Sequence, residues 1–151
     1  MANRPSEGLD MGMRRSAREL ALQILYQQEI THESLEANIR AMQASTTGQY
    51  STAIWDYSLK LVKGTYAHQH EIDSIISQYS DNWELERICL IDRSILRLAI
   101  YEMLYSTELI PPKVCINEAV EVAKKYSSNL SPSFINGILD KVKENKQRIG
   151  S

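Results

Sequence analysis

Hydrophobic side chains recur at helical spacing over a long stretch in the middle of this chain. Between residues 50 and 79, Ile54, Leu61, Ile72 and Ile75 fall on one face, because the pattern advances in steps of three and four residues. No alternation with a period of two competes with it. With only four prolines and six glycines among 151 residues, the chain contains few helix breakers. These features predict an all-α fold of about seven helices.

The predicted helices divide into two groups. Residues 50–79 are predicted to form one long helix with a bend at Gly64. Residues 91–105 are apolar on nearly every side, so we expect them to form the central helix of a second bundle. The expected architecture is two small packed helical bundles, with an N-terminal part over about 14–80 and a C-terminal part over about 81–149.

Capping signals indicate where the folded part begins and where its last helix starts. Residues 1–13 are polar and lack periodicity, so we expect a mobile N-terminal arm followed by one all-helical domain over 14–151. The S-x-x-E sequence that begins at Ser16 is a capping box, which predicts the start of the first helix. Ser131 is the predicted N-cap of the last helix, with Pro132 as its first residue.

Composition and charge argue against several classes of protein. A formal net charge of -2 and a pI near 5.9 do not fit a uniformly basic nucleic-acid coat. Basic residues are nevertheless concentrated locally, with Arg14, Arg15 and Arg18 at one end of the first helix. The start has no apolar signal-peptide core, and no run approaches about 18 consecutive apolar residues. We therefore expect a soluble, cytoplasmic protein that does not enter a membrane.

No catalytic, cofactor or metal motif is legible in the sequence. There is no glycine-rich phosphate loop, no H-E-x-x-H and no C-x-x-C. We expect no catalytic residues, no metal and no cofactor, and a binding protein rather than an enzyme. Cys89 and Cys115 both lie within apolar helical patterns and are expected to be buried thiols.

The apolar helix over 91–105 also contains charged side chains. Unpaired ions are costly in such surroundings, so Arg97 and Glu102 are predicted to pair with each other or with a neighbouring carboxylate such as Glu118. Asp92 lies at the helix start, where an acid can cap backbone amides and remain exposed for a partner.

The segment SPSFINGILDK contains the only phenylalanine of the chain, Phe134. Gly137 interrupts the helical pattern there, which suggests that another backbone packs close against it. Phe134 falls in the first turn of the predicted helix. Its ring can belong to the core or offer a contact surface, and the sequence leaves both readings open.

Several segments, taken together, resemble a known family. They are RRSARELALQILYQ at 14–27, DRSILRLAIYEM at 92–103, and IPPKVCINEAVEVAKKY with SPSFINGILD within 110–140. In this order and spacing they resemble the NusB family of transcription antitermination factors, over about 14–143. The resemblance implies an all-helical RNA-binding protein built from two small bundles.

The resemblance also implies partners and site residues. Members of the family pair with NusE, a ribosomal protein of the small subunit, and the pair holds the single-stranded boxA sequence of ribosomal RNA leader transcripts. That complex joins the RNA polymerase antitermination complex and suppresses premature termination. By position, Arg14, Arg15 and Arg18 match the basic RNA-binding motif, Phe134 matches an aromatic near the RNA surface, and Asp92 matches an acidic position that faces NusE.

Two alternatives stay open at this point. One is a self-associating helical interaction module without RNA binding, in which a homodimer masks the arginine face. The other is a stand-alone relative of the RNA-binding domain of a ribosomal RNA methyltransferase, although a chain of 151 residues has no room for a methyl-donor domain as well.

Overall fold

The computed structural model describes residues 8–81 and 84–149 of the chain. Those two ranges contain no strand, and seven α-helices account for most of them. The helices are α1 (Met11–Thr31), α2 (Leu35–Ser45), α3 (Thr52–Ala67), α4 (Gln69–Tyr79), α5 (Leu90–Ile100), α6 (Pro112–Tyr126) and α7 (Ser131–Asn145). A 3-10 turn at Leu85–Arg87 precedes α5, and a π-helical turn at Tyr101–Tyr105 continues it. The predicted all-α class is confirmed.

The first helix begins earlier than the capping box predicted. Asp10 is the N-cap of α1, and its Oδ1 accepts a hydrogen bond from the Met13 amide at 2.8 Å. Ser16 therefore lies inside the helix, and residues 11–13 of the predicted arm are helical. Residues 1–7 of that arm lie outside the described residues.

The long helix predicted over 50–79 is two helices, separated at His68. At Gly64 the backbone of α3 lies so close to the Tyr101 ring that an added Cβ would be 2.1 Å from it. His68 follows one turn later and stacks its ring on Tyr105 at a centroid distance of 4.4 Å. The π-helical turn thus packs against the end of α3 at the point where the chain changes direction.

Two hydrophobic cores lie side by side. The N-terminal core is formed by α1, α2 and α3, with Leu98 of α5 inserted into it. The C-terminal core is formed by α4 to α7 and receives Leu22 from α1. Ile72, Ile75 and Ile76 of α4 belong to this second core.

The start of α7 also differs from its prediction. The helix begins at Ser131 itself, and the Ser131 hydroxyl donates to Asp92 at 2.8 Å instead of capping the helix. Gly137 is exposed, and no atom lies within 4 Å of where its Cβ would be. The expectation that a second backbone packs against Gly137 is therefore wrong.

Candidate nucleic-acid interface

Arg18 lies inside the molecule and not on a contact surface. Its side chain is 5% exposed, and its Nε and Nη2 donate to the two carboxylate oxygens of Glu102 at 2.7 and 3.0 Å. The Tyr57 hydroxyl donates to the same carboxylate at 2.9 Å. Burial alone would lower the pKa of Arg18, but the charge and hydrogen bonds of Glu102 outweigh it and raise that pKa above its usual value. The RNA contact predicted for Arg18 does not agree with this buried pairing.

Arg14 is held partly by the same interior. Its Nη1 lies 3.3 Å from Glu108 Oε1, and its guanidinium carbon lies 4.9 Å from the centre of the Tyr57 ring. Only a fifth of the side chain is exposed. Arg14 is therefore anchored over most of its length, with only a small part of its side chain at the surface.

Arg15 is the most exposed of the predicted arginines. Its side chain is 46% exposed, and its Nε and Nη2 form a bidentate pair with Glu118 at 3.0 and 2.7 Å. The hydrogen bond from Arg15 lowers the pKa of Glu118, and its charge adds to this against the effect of burial. Arg18 Nη1 lies 3.5 Å from the same carboxylate, so Glu118 joins Arg15 to the buried network.

A cationic groove of about 310 Å³ runs between α1 and α6. It is lined by Arg15, Glu19, Glu121, Val122, Lys124 and Lys125. Lys124 and Lys125 are largely exposed, and each has a carboxylate partner: Lys124 Nζ lies 3.3 Å from Glu121 Oε1, and Lys125 Nζ lies 2.9 Å from Glu19 Oε1. The Tyr126 hydroxyl donates to the same Glu19 oxygen at 2.7 Å, which fixes the last turn of α6 against α1. Such a groove can attract phosphate groups.

Asp92 is buried, with a relative exposure of 6%, and does not stay open for a partner as predicted. The Ser127 hydroxyl donates to its Oδ1 at 2.6 Å, and the Ser131 hydroxyl donates to its Oδ2 at 2.8 Å. Both serines flank the loop between α6 and α7. Asp92 therefore clamps that loop onto the start of α5.

The loop held by Asp92 forms one wall of a second groove, of about 320 Å³. It is lined by Arg87, Ile88, Cys89, Asp92, Ser128, Leu130, Ser131 and Phe134. Phe134 is half-buried against the C-terminal core, whereas Leu130 is 82% exposed. Phe134 thus has a core side and a groove side, so its packing against the core is confirmed and its role as a contact stays a prediction.

The structure divides the predicted site residues: Arg15 lines the cationic groove, Asp92 and Phe134 line the second groove, and Arg14 and Arg18 line neither of these two. The cationic groove contains Lys125, and Ser127, two residues further along, reaches Asp92 in the Phe134 groove. The structure adds Lys124, Lys125 and Arg87 to the predicted set. The adjacent lysines in EVAKKY could be read from the sequence as a concentration of positive charge, but no local sequence pattern indicates that they lie beside α1.

Two further predictions are only partly right. Arg97 pairs with carboxylates of neighbouring helices, as expected, but these are Asp73, whose Oδ1 lies 2.7 Å from the Arg97 Nε, and Glu29, rather than Glu102 or Glu118. Cys89 is exposed at the groove, whereas Cys115 is buried as predicted.

Two kinds of feature are absent from the described residues. Within 8–81 and 84–149, no set of three or more histidine, cysteine, aspartate or glutamate side chains is placed to hold a metal ion. No helix in those ranges is both long enough and apolar enough to cross a membrane.

Comparison with known proteins identifies the family. The NusB family model matches residues 15–144. The transcription antitermination protein NusB of Acetivibrio thermocellus is 49% identical over 131 residues, covering 85% of this chain and 87% of that protein. The structure of T. maritima NusB matches with a TM-score of 0.79 at 34% identity, over 87% of this chain and 91% of that one. A structure of antitermination factors NusB and NusE in complex with dsRNA contains a chain that matches with a TM-score of 0.80 at 26% identity, over 91% of this chain and 100% of that one. The fold and the sequence agree, and this chain belongs to the NusB family.

Proposed function

We propose that this chain is a transcription antitermination factor that binds RNA together with a NusE-type ribosomal protein. The relatives named as transcription antitermination proteins and the related complex with NusE and dsRNA support this role. The family is not enzymatic. We further propose that the RNA is the boxA sequence of ribosomal RNA leader transcripts. The complex would act in the cytoplasm on elongating RNA polymerase and help it resist premature termination.

One structural observation supports RNA binding most directly. The cationic groove contains Lys124 and Lys125 from the last turn of α6, and the groove that contains Phe134 is lined by Ser128 and Leu130 of the loop that follows that turn. Cationic side chains bind the phosphates of a strand, and an aromatic ring offers a stacking face for an unpaired base. A surface that combines the two suits a single strand better than a continuous duplex, whose bases are not available for stacking.

The packing of the predicted residues assigns them different roles in this proposal. Arg15 is proposed as a direct phosphate contact, together with Lys124 and Lys125, and Arg14 as a partial one. Arg18 is proposed to hold α1 in place from inside the molecule. Asp92 is proposed to act on both partners through the loop that it clamps, rather than by an exposed carboxylate.

RNA binding is tested by fluorescence anisotropy with a labelled single-stranded boxA RNA, with and without purified NusE. If Arg15, Lys124 and Lys125 neutralise three phosphates, the logarithm of the binding constant should fall with the logarithm of salt with a slope of about -2. The double substitution Arg15→Ala and Lys125→Ala should reduce that slope to about -0.7. The matched control is Lys60→Ala with Lys63→Ala, because both of these lysines are exposed on α3. A slope that is equal in the two double variants would refute the assigned contacts, and equal affinity for duplex RNA would refute the preference for a single strand.

Thiol alkylation tests whether RNA and NusE cover the groove that contains Phe134. Cys89 lines the Phe134 groove and is exposed, whereas burial raises the pKa of Cys115 to about 12 and keeps that thiol unreactive in the native protein. Adding RNA and NusE should slow the alkylation of Cys89, and Cys115 reports any unfolding in the same sample. Unchanged alkylation of Cys89 at saturating RNA and NusE would show that the groove is not part of the interface.

A further inference from the structure

A third groove lies at the opposite end of the hairpin formed by α6 and α7. It has a volume of about 220 Å³, and its lining includes Met103, Leu104, Leu109, Ile110, Lys143 and Lys146. The groove lies where α6 begins and α7 ends. Along α7 it is on the order of 20 Å from Phe134, since each helical residue adds about 1.5 Å. The groove is therefore distant from Phe134, although its Leu109 follows Glu108, whose carboxylate lies 3.3 Å from Arg14.

Apolar side chains at this groove are exposed without cover. Leu109 is 76% exposed, and the neighbouring Ile149 is 60% exposed. Leu109 therefore offers an aliphatic contact at the mouth of the groove.

The groove is fixed in shape by backbone contacts. The Ile149 amide donates to the Leu104 carbonyl oxygen at 2.6 Å. The Arg148 guanidinium donates to the carbonyl oxygens of Met103 at 3.4 Å and of Glu108 at 2.6 Å, and it also contacts the carbonyl of Ser106. These bonds hold the segment after α7 against the loop before α6, so a ligand would meet a wall that is already formed.

The charges around the groove have one sign. Among its described lining residues there is no carboxylate, whereas Lys143, Lys146 and Arg148 all contribute to it. Lys143 has only a distant partner, Asp140 at 4.0 Å, and Lys146 has no described carboxylate within that distance. The first turn of α6 contains no acidic residue that would offset these charges.

We propose that this groove binds an acidic protein segment that inserts an aliphatic side chain beside Leu109. RNA is a poorer fit, because the lining contains no aromatic ring for a base and because Arg148 is already bonded to carbonyl groups. A second copy of the chain is also a poorer fit, because a two-fold contact here would bring the lysines of both copies together. The inference goes beyond the proposed function and does not depend on it.

The probe is a labelled synthetic peptide of glutamate and leucine, with the leucines at helical spacing, titrated into the full chain and followed by anisotropy and by amide chemical shifts. Lys146→Glu should weaken the binding of this peptide at least fivefold, and Leu109→Asp about tenfold. Lys60→Glu, at an exposed lysine on α3, should have no effect. The shifts should centre on Leu104, Leu109 and Lys146.

Four results would each overturn the proposal. The first is that the glutamate and leucine peptide does not bind, and the second is that a lysine and leucine peptide binds equally well. The third is that poly-uridine RNA changes the chemical shifts of the same amides. The fourth is that sedimentation shows a dimer that Leu109→Asp dissociates. Binding of boxA RNA by Leu109→Asp is measured in parallel. It should be unchanged, so a failure at this groove stays distinct from a failure of the RNA proposal.

Discussion

Replacing Arg18 by alanine provides the sharpest test of the buried network. The Glu102 side chain is 2% exposed, and without Arg18 its carboxylate would keep only the Tyr57 hydroxyl at 2.9 Å. Removing one member of a buried ion pair leaves an uncompensated charge and costs about 3–5 kcal/mol. For a chain of this size, about 4 kcal/mol corresponds to a lowering of Tm by about 10 °C. Urea and thermal denaturation, both followed by far-ultraviolet circular dichroism, measure these quantities.

Two companion variants separate pairing from simple loss of a side chain. Arg15→Ala should cost less than about 1 kcal/mol, because Arg15 is half exposed and Glu118 keeps Arg18 nearby. Arg18→Met combined with Glu102→Leu should regain most of the stability lost in Arg18→Ala, since apolar replacement of a buried pair is often neutral or stabilising. If Arg18→Ala lost less than about 1 kcal/mol while its RNA affinity fell more than that of Arg15→Ala, then Arg18 would be a direct RNA contact and the reasoning would fail.

Three further predictions concern packing, pH and the loop clamp. Gly64→Ala should destabilise the protein by about 1–3 kcal/mol or more, since the new Cβ would overlap the Tyr101 ring. Gly137→Ala should stabilise it by about 1 kcal/mol, because no atom lies near that position and alanine favours the helix. Equal effects of the two substitutions in urea denaturation would refute this contrast. The pKa of Glu118 is lower in the folded state than its ordinary value of 4.5, so its contribution to the unfolding free energy is complete above about pH 4.5 and disappears as the pH falls through the lower folded value. In that pH range the unfolding free energy of the unmodified protein should fall more steeply than that of Arg15→Ala. Parallel slopes would contradict the pairing of Arg15 with Glu118. Asp92→Ala should lower the unfolding free energy by about 2–3 kcal/mol and weaken the binding of both RNA and NusE. If isothermal titration calorimetry showed weaker binding of NusE alone, the carboxylate would instead contact NusE directly.

The sequence was informative where a pattern has one physical meaning. Apolar residues at steps of three and four predicted the helices, and the apolar run over 91–105 correctly predicted a central helix, because burial on all sides leaves no polar face. Element ends were less predictable. An S-x-x-E pattern can occur inside a helix as well as at its start, and at Ser16 the earlier cap by Asp10 determines where the helix begins.

The functional surface was only partly predictable for a different reason. The sequence marks Arg15 and Arg18 as equivalent cations, yet one faces solvent and the other pairs with Glu102, 84 positions further along the chain. Such a pairing depends on how α1 packs and not on local spacing. The same holds for Lys125, whose partner Glu19 lies on another helix, and for Cys89, which the apolar pattern placed inside but the structure leaves exposed.

The shared position of α1 has a consequence for how the molecule unfolds. Leu22 enters the C-terminal core, Leu98 enters the N-terminal core, and Arg18 connects α1 to the π-helical turn that follows α5. Neither half can lose its structure without exposing apolar surface or a charge that belongs to the other. Heat or denaturant should therefore melt both halves in a single cooperative transition, and either half expressed by itself should fail to fold.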